Sequence, residues 1–273
     1  MGAVLWRAHA MGVRPVLAGN PVSGVLRLAC IDSAAAPLFD KSIDGGATRT
    51  GYEPEAAALV ADALGLGLEW HVVAWDDMIP SVQRGESDGV WCGQGVIPSR
   101  VAQLDFTRPY AVFNESVLVR AGDPARGPED LNGYRVAAIE GSANMALAET
   151  FAGAELVPFG PTDDVFGDMI QAVRDHTVDA MVDDDVVTVP LGDEPEFDLA
   201  FTAQTRNPWG VGVSKERPDL LARLDAGIRQ VIEDGSLERV WSAWMPHLPF
   251  PAETLEAGQA TTSAAVDSQG ASA

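Results

Sequence analysis

Positive charge is scarce in this chain. Its 18 Lys and Arg side chains stand against 40 Asp and Glu, for a formal net charge of −22, and no local Lys/Arg cluster offsets the excess. A phosphate backbone or an anionic membrane surface would be repelled, so no nucleic acid is expected as a partner. Cysteine is nearly absent. Cys30 and Cys92 make neither a metal-ligand spacing nor a disulfide framework, so stability must rest on packing. The histidines at 9, 71, 176 and 247 are isolated, without the spacing of a zinc site. No phosphate loop, no dinucleotide-type glycine fingerprint and no nucleophile elbow occurs in the sequence. Cys92 has no basic partner in view, and a buried thiol is usually inert. Catalysis, a cofactor and a metal are therefore not expected. No stretch reaches the ~20 apolar residues that span a bilayer.

What is present is apolar and periodic. With 47% hydrophobic residues in 273, the chain can bury two cores of ordinary domain size. Short apolar runs predict strands at 26–31, 69–73, 89–92, 135–139, 155–159, 178–182 and 210–214. Between them lie helical patterns: one from Glu53-Pro54 to a stop at Gly65, one capped by Asp76 or Asp77, and others at 143–151, 164–175 and 218–234, with a last helix around Leu237 to Trp244. Phe166, Met169, Ile170 and Val173 share one helix face, as do Leu221, Leu224, Ile228 and Val231. Strands and helices thus alternate in two successive sets, which implies an α/β protein with two parallel-sheet lobes and a cleft between them. Residues 1–23 read as an N-terminal extension in which Trp6, Arg7, His9 and Arg14 interrupt any signal-type apolar core, and no lipobox is visible. Residues 251–273 are mostly Ala, Ser, Thr, Gly and Gln and are expected to be a disordered tail that packs on nothing.

Several strings, in order, carry a resemblance: Leu26-Arg27-Leu28 leading to Asp32, Gly51-Tyr52-Glu53, Trp75-Asp76-Asp77-Met78-Ile79-Pro80, Gly85-Glu86-Ser87-Asp88-Gly89, Arg100, Asp105-Phe106-Thr107-Arg108-Pro109-Tyr110, Glu129-Asp130-Leu131-Asn132-Gly133, Val178-Asp179-Ala180 and Asn207-Pro208-Trp209-Gly210. The chain resembles the extracytoplasmic solute-binding proteins of family 3, the amino-acid-binding components of ABC importers. That resemblance implies a type II periplasmic-binding-protein-like fold with two crossovers and a ligand cleft. Lobe one would comprise 24–117 plus 207–250 and lobe two 118–206, with crossing segments near 118–121 and 202–206. It further implies hinge closure on a small amino-acid-like zwitterion, permease and ATPase subunits as partners, a monomer, and a place outside the cytoplasm. The N-terminal sequence does not itself announce export, so a cytoplasmic location stays open. Two alternatives also stay open: a cyclohexadienyl-dehydratase-like enzyme, for which Glu55 or Glu140 would be the nearest proton donors, and a ligand-sensing module without transport.

A buried zwitterion needs a cation for its carboxylate and an anion for its ammonium. The resemblance assigns the first to Arg100, whose fork can donate two parallel hydrogen bonds, and the second to Asp184 within Asp183-Asp184-Asp185. An arginine at a helix start is otherwise a surface residue, and an Asp run is otherwise a solvated loop or cap. Gly93 and Gly95 would offer backbone N–H groups in a loop that lacks the family's hydroxyls. Ser142 and Ala143 open a helix where the same contacts are available, with Ser142 equally able to serve only as its N-cap. Trp75 matches a stacking position or a core residue, and Trp91 a core residue. Asp32 matches a position that can pair with a polar ligand side chain, or a simple turn residue. The aromatic expected after the first strand falls on Ala35, which leaves the ligand unidentified.

Overall fold

The apolar run that opens the chain's first strand, β1 (Val25–Cys30), is buried without interruption from Leu28 onward, as a strand covered on both faces must be. The computed structural model describes residues 24–257 apart from 43, 45–47, 161 and 163. The N-terminal extension, Gly45-Gly46 and the chain beyond 257 lie outside the described residues. After β1 come α1 (Tyr52–Ala63), β2 (Gly67–Val72), α2 (Met78–Gln83), β3 (Gly89–Val90), α3 (Pro98–Val101) and β4 (Leu104–Phe106). The second set is β5 (Ala111–Arg120), β6 (Arg135–Ile139), α4 (Ala143–Ala148), β7 (Glu155–Phe159), α5 (Val165–Arg174), β8 (Ala180–Asp184), α6 (Asp185–Gly192) and β9 (Phe197–Trp209). The chain then adds β10 (Gly212–Ser214), α7 (Pro218–Glu233), α8 (Ser236–Trp244) and α9 (Ala252–Glu256).

Two five-stranded sheets result, in the orders β2-β1-β3-β10-β4 and β7-β6-β8-β5-β9. The two-lobed α/β architecture is the expected one, but the sheets are mixed rather than parallel. β10 runs antiparallel to β3 and β4, and β5 antiparallel to β8 and β9. The reason is connectivity: a chain that returns directly along its neighbour needs no helical crossover. β5 and β9 pair from Ala111↔Trp209 to Arg120↔Phe197, with a register shift after Phe113. The chain therefore changes sheet between Phe106 and Ala111 and again between Trp209 and Gly212.

Helices α7 and α8 pack on α1 and so complete the first lobe. Trp241 of α8 stacks on Phe113 and meets Tyr52 edge-on, at 5.2 and 5.4 Å between ring centroids. Two local expectations are corrected. Asp76 and Asp77 cap nothing; Asp77 instead accepts hydrogen bonds from both terminal nitrogens of Arg84 at 2.9 and 3.0 Å. Residues 252–256 do pack, since α9 lies against α7 and β5 with Leu255 fully buried.

Candidate functional site

The string Gly51-Tyr52-Glu53 builds the floor of the first lobe's side. Gly51 has φ 127°, and a Cβ there would collide with the Leu38 carbonyl oxygen, so only glycine lets α1 start this close to the loop. Tyr52 then donates its hydroxyl to the Tyr110 carbonyl at 2.7 Å. Glu53 Oε1 accepts from the Gly93 N–H at 2.8 Å and from the Tyr110 hydroxyl at 2.6 Å. Burial pushes the Glu53 carboxyl up to about 7, against those two hydrogen bonds. Sequence reading missed Glu53 as a support of the Gly93 loop. The loop continues to Gly95, where a Cβ would come within 2.7 Å of the Asn207 amide. Trp91 is core, as expected, and both cysteines are buried free thiols whose ionisation burial pushes up.

Arg100, on α3, is only 6% exposed. Its guanidinium donates to the Gly95 carbonyl at 3.1 Å and, across the cleft, to the Gly141 carbonyl at 3.3 Å. Its carbon Cζ lies 5.6 Å from the Trp75 ring centroid, so Trp75 faces this cation. Among the described residues Arg100 forms no ion pair. Burial pulls its pKa down to about 10, with Asp184 acting in the opposite sense.

The second lobe contributes acids. β8 extends through Asp184 because Glu115↔Asp184 and Ser116↔Asp183 are partners in its ladder with β5. The aspartate run is therefore no solvated loop: Asp183, Asp184 and Asp185 are 1%, 8% and 7% exposed. Asp183 Oδ1 accepts from Asn144 Nδ2 at 3.2 Å and from the Asp184 N–H at 2.8 Å. Asp183 Oδ2, Asp184 Oδ1 and Asn144 Oδ1 have no partner. Desolvation, with mutual repulsion at Asp184, raises both carboxyls above the usual range. Glu115 is likewise raised to about 7, chiefly by burial. Ser142 does act as an N-cap, accepting from the Met145 N–H at 3.0 Å.

One cavity between the sheets gathers most of these groups. Arg100, Asp184, Trp75, Gly93, Gly95, Ser142 and Ala143 all line it, together with Asp183, Asn144 and Asn207 and the apolar Leu38, Phe39, Ile139 and Phe166. It shares Trp75 and Arg100 with a wider hollow of about 380 Å³ whose wall includes Glu140. Asp32 is not brought in. It accepts from the Ser42 N–H and hydroxyl, each at 2.8 Å, and lies 3.7 Å from buried Arg49, which makes it a structural residue of its loop. Glu55 is exposed and lines neither space. Phe39 supplies the aromatic that Ala35 lacks: an Ala35–Phe39 bridge folds the loop back, and Arg49 lies over the Phe39 ring at 5.2 Å. The lobes also touch through Phe39–Phe166, 6.4 Å between centroids, and through Ser33 Oγ donating to Asp164 at 3.1 Å.

The chain is similar to known proteins over most of this architecture. The model of the bacterial extracellular solute-binding proteins, family 3, matches residues 29–247. A glutamine-binding protein of an ABC transporter, GlnH of Bacillus subtilis, is 24% identical over 174 residues, which is 63% of this chain and 62% of that protein. An ancestral arginine-binding protein bound to arginine superposes with a TM-score of 0.73 at 24% identity, over 81% of this chain and 98% of that one. An ancestral amino acid-binding protein, a precursor of cyclohexadienyl dehydratase, gives 0.71 at 26% identity, over 81% and 95%.

Proposed function

Because the chain belongs to the bacterial extracellular solute-binding proteins, family 3, we propose that it is the substrate-capturing subunit of an amino-acid ABC importer, closing its lobes on one zwitterion outside the cytoplasm. The observation that carries this is a buried guanidinium and a buried carboxyl, neither of them in an ion pair, facing one cavity. Arg100 enters from the first lobe with no counter-ion, and Asp184 enters from the second with an unpartnered oxygen. Each charge alone is costly when buried, and a ligand with a carboxylate at one end and an ammonium at the other relieves both. Because the two partners belong to different lobes, such a ligand also favours the closed state over the open one. The closed form would then dock on permease and ATPase subunits.

We read the site as a binder, not a catalyst. Glu55 faces solvent, and Glu140 is an exposed residue of the neighbouring hollow, so neither is poised over the cavity. A thermal-shift screen of amino acids and related metabolites tests the proposal. A true ligand stabilises the native state by RT ln(1 + [L]/Kd), roughly 2.7 kcal/mol at a hundredfold excess over Kd. A flat profile across all zwitterions would count against it decisively.

A further inference from the structure

A simple zwitterion offers one positive group, yet two carboxylates face the cavity. Asp183 and Asp184 both line it, both are more than nine-tenths buried, and each keeps one oxygen without a partner. Asn144 Oδ1 beside them is a third acceptor without a donor. Among the described residues, Arg100 is the only basic side chain that lines this cavity. Once an α-carboxylate takes Arg100 and an α-ammonium takes Asp184, Asp183 Oδ2 is left as a buried carboxyl oxygen with no donor opposite, and its ionised form is favoured only if a cation arrives. The remaining walls, Leu38, Phe39, Ile139 and Phe166, offer no charge but suit a methylene stem.

We propose that the ligand is a dibasic amino acid, carrying a second cationic nitrogen, and that Asp183 is the carboxylate that selects it. The inference rests on the reading of the cavity as a zwitterion site. Asp183 is held for this role: its Oδ1 is fixed by Asn144 and by the Asp184 N–H, which leaves Oδ2 for an incoming N–H donor. Of the other acids nearby, Asp185 accepts from Asn114 through one oxygen, keeps the other without a partner, and does not line this cavity. Glu115 accepts from Thr205, and Asp32 is spent on Ser42 and Arg49 outside the cavity.

Calorimetry with matched pairs decides the matter: ornithine against norvaline, lysine against norleucine, arginine against citrulline, each differing at the far end of the side chain. Measurements are made at about pH 8, on the alkaline side of the carboxyl that burial raises. In the unaltered protein the basic member of at least one pair should bind more than roughly tenfold tighter than its neutral counterpart. Asp183→Asn, which keeps shape and the hydrogen bond from Asn144, should shrink that ratio to within about threefold, while a merely structural role would lower both members together. Equal affinities within every pair, or a ratio that survives in Asp183→Asn, overturns the proposal. Binding by neither member of any pair overturns the dibasic proposal, whereas the zwitterion reading itself falls only to a flat thermal-shift profile across all amino acids. Should Asp183→Asn fail to fold, the comparison in the unaltered protein decides alone.

Discussion

Arg100 ties the two lobes to each other through Gly141, while its second terminal nitrogen holds Gly95 in its own lobe. The guanidinium that makes this tie is also the proposed anion site. A ligand carboxylate would exchange neutral carbonyl acceptors for a charged one, and charge-assisted hydrogen bonds are roughly twice as strong.

Arg100→Ala should therefore weaken ligand binding by at least tenfold, since truncating one partner of a desolvated charge pair costs about 2–5 kcal/mol. Arg100→Lys keeps the charge but not the paired donors and should also lose much of the affinity. Calorimetry on the identified ligand measures both, and near-native affinity in Arg100→Ala would remove Arg100 from the site.

Asp184→Asn should abolish binding of every amino acid tested and yet raise the melting temperature of the ligand-free protein. Asp184 lies opposite Glu115 in the ladder and next to Asp183, so its charge is opposed by burial and by like neighbours. A lower melting temperature with unchanged binding would contradict both roles.

Stability should fall as pH rises from about 5 to about 8 in the ligand-free protein. Asp183, Glu53 and Glu115 have folded values near 7, above those of an unfolded chain. The folded state then holds more protons than the unfolded one, so the slope of unfolding free energy with pH is negative across that window. Asp179, held down to about 2 mainly by its hydrogen bonds from Arg135, acts only below it. Melting curves across the window should show the decline, and a rise would refute the assignment of buried neutral acids.

Asp32→Asn should lower the melting temperature without changing ligand affinity. It would leave Arg49, whose side chain is 2% exposed, without its carboxylate neighbour, and losing a charged hydrogen-bond partner costs about 1–3 kcal/mol. A drop in affinity at unchanged stability would return Asp32 to the binding site.

Leu255→Ala should destabilise the protein by about 2–5 kcal/mol, the usual cost of a buried Leu→Ala truncation. Chemical denaturation would read this directly. A silent substitution would mean that α9 contributes nothing to the first lobe.

The elements that sequence made legible are those whose periodicity is unbroken. β6 and β7 end where their apolar runs end, and α5 and α7 follow their i, i+3, i+4 faces. β5 and β9 were illegible because Asn114-Glu115-Ser116 and Gln204-Thr205-Arg206-Asn207-Pro208 put polar residues and a proline inside the strands. Of those polar residues Asn207 lines the cavity, Asn114 donates to Asp185 and Thr205 to Glu115, and Pro208 is tolerated because β9 is an edge strand. Arg100 and Asp184 were located through neighbouring strings, not through any pattern of their own. Phe39 escaped notice because it reaches the cavity by a bridge to Ala35, four positions from where an aromatic was sought. α9 has a single apolar anchor, Leu255, too little to stand out in a small-residue segment.

Both connections between the sheets leave from the end of the β5–β9 ribbon where Ala111 pairs with Trp209, and the ribbon also gives Asn207 to the cavity wall and Glu115 to the acid cluster. A pair of plates turning on a shaft moves least at the shaft and most at the rim. In a rotation about this ribbon, the ladder partners Glu115 and Asp184 would travel little, whereas Ser33 and Asp164, which belong to loops outside the ribbon, would separate. An ammonium taken by Asp184 would then meet acids already assembled before the lobes swing shut. Torque, not reshaping of the pocket, becomes what the ligand must supply.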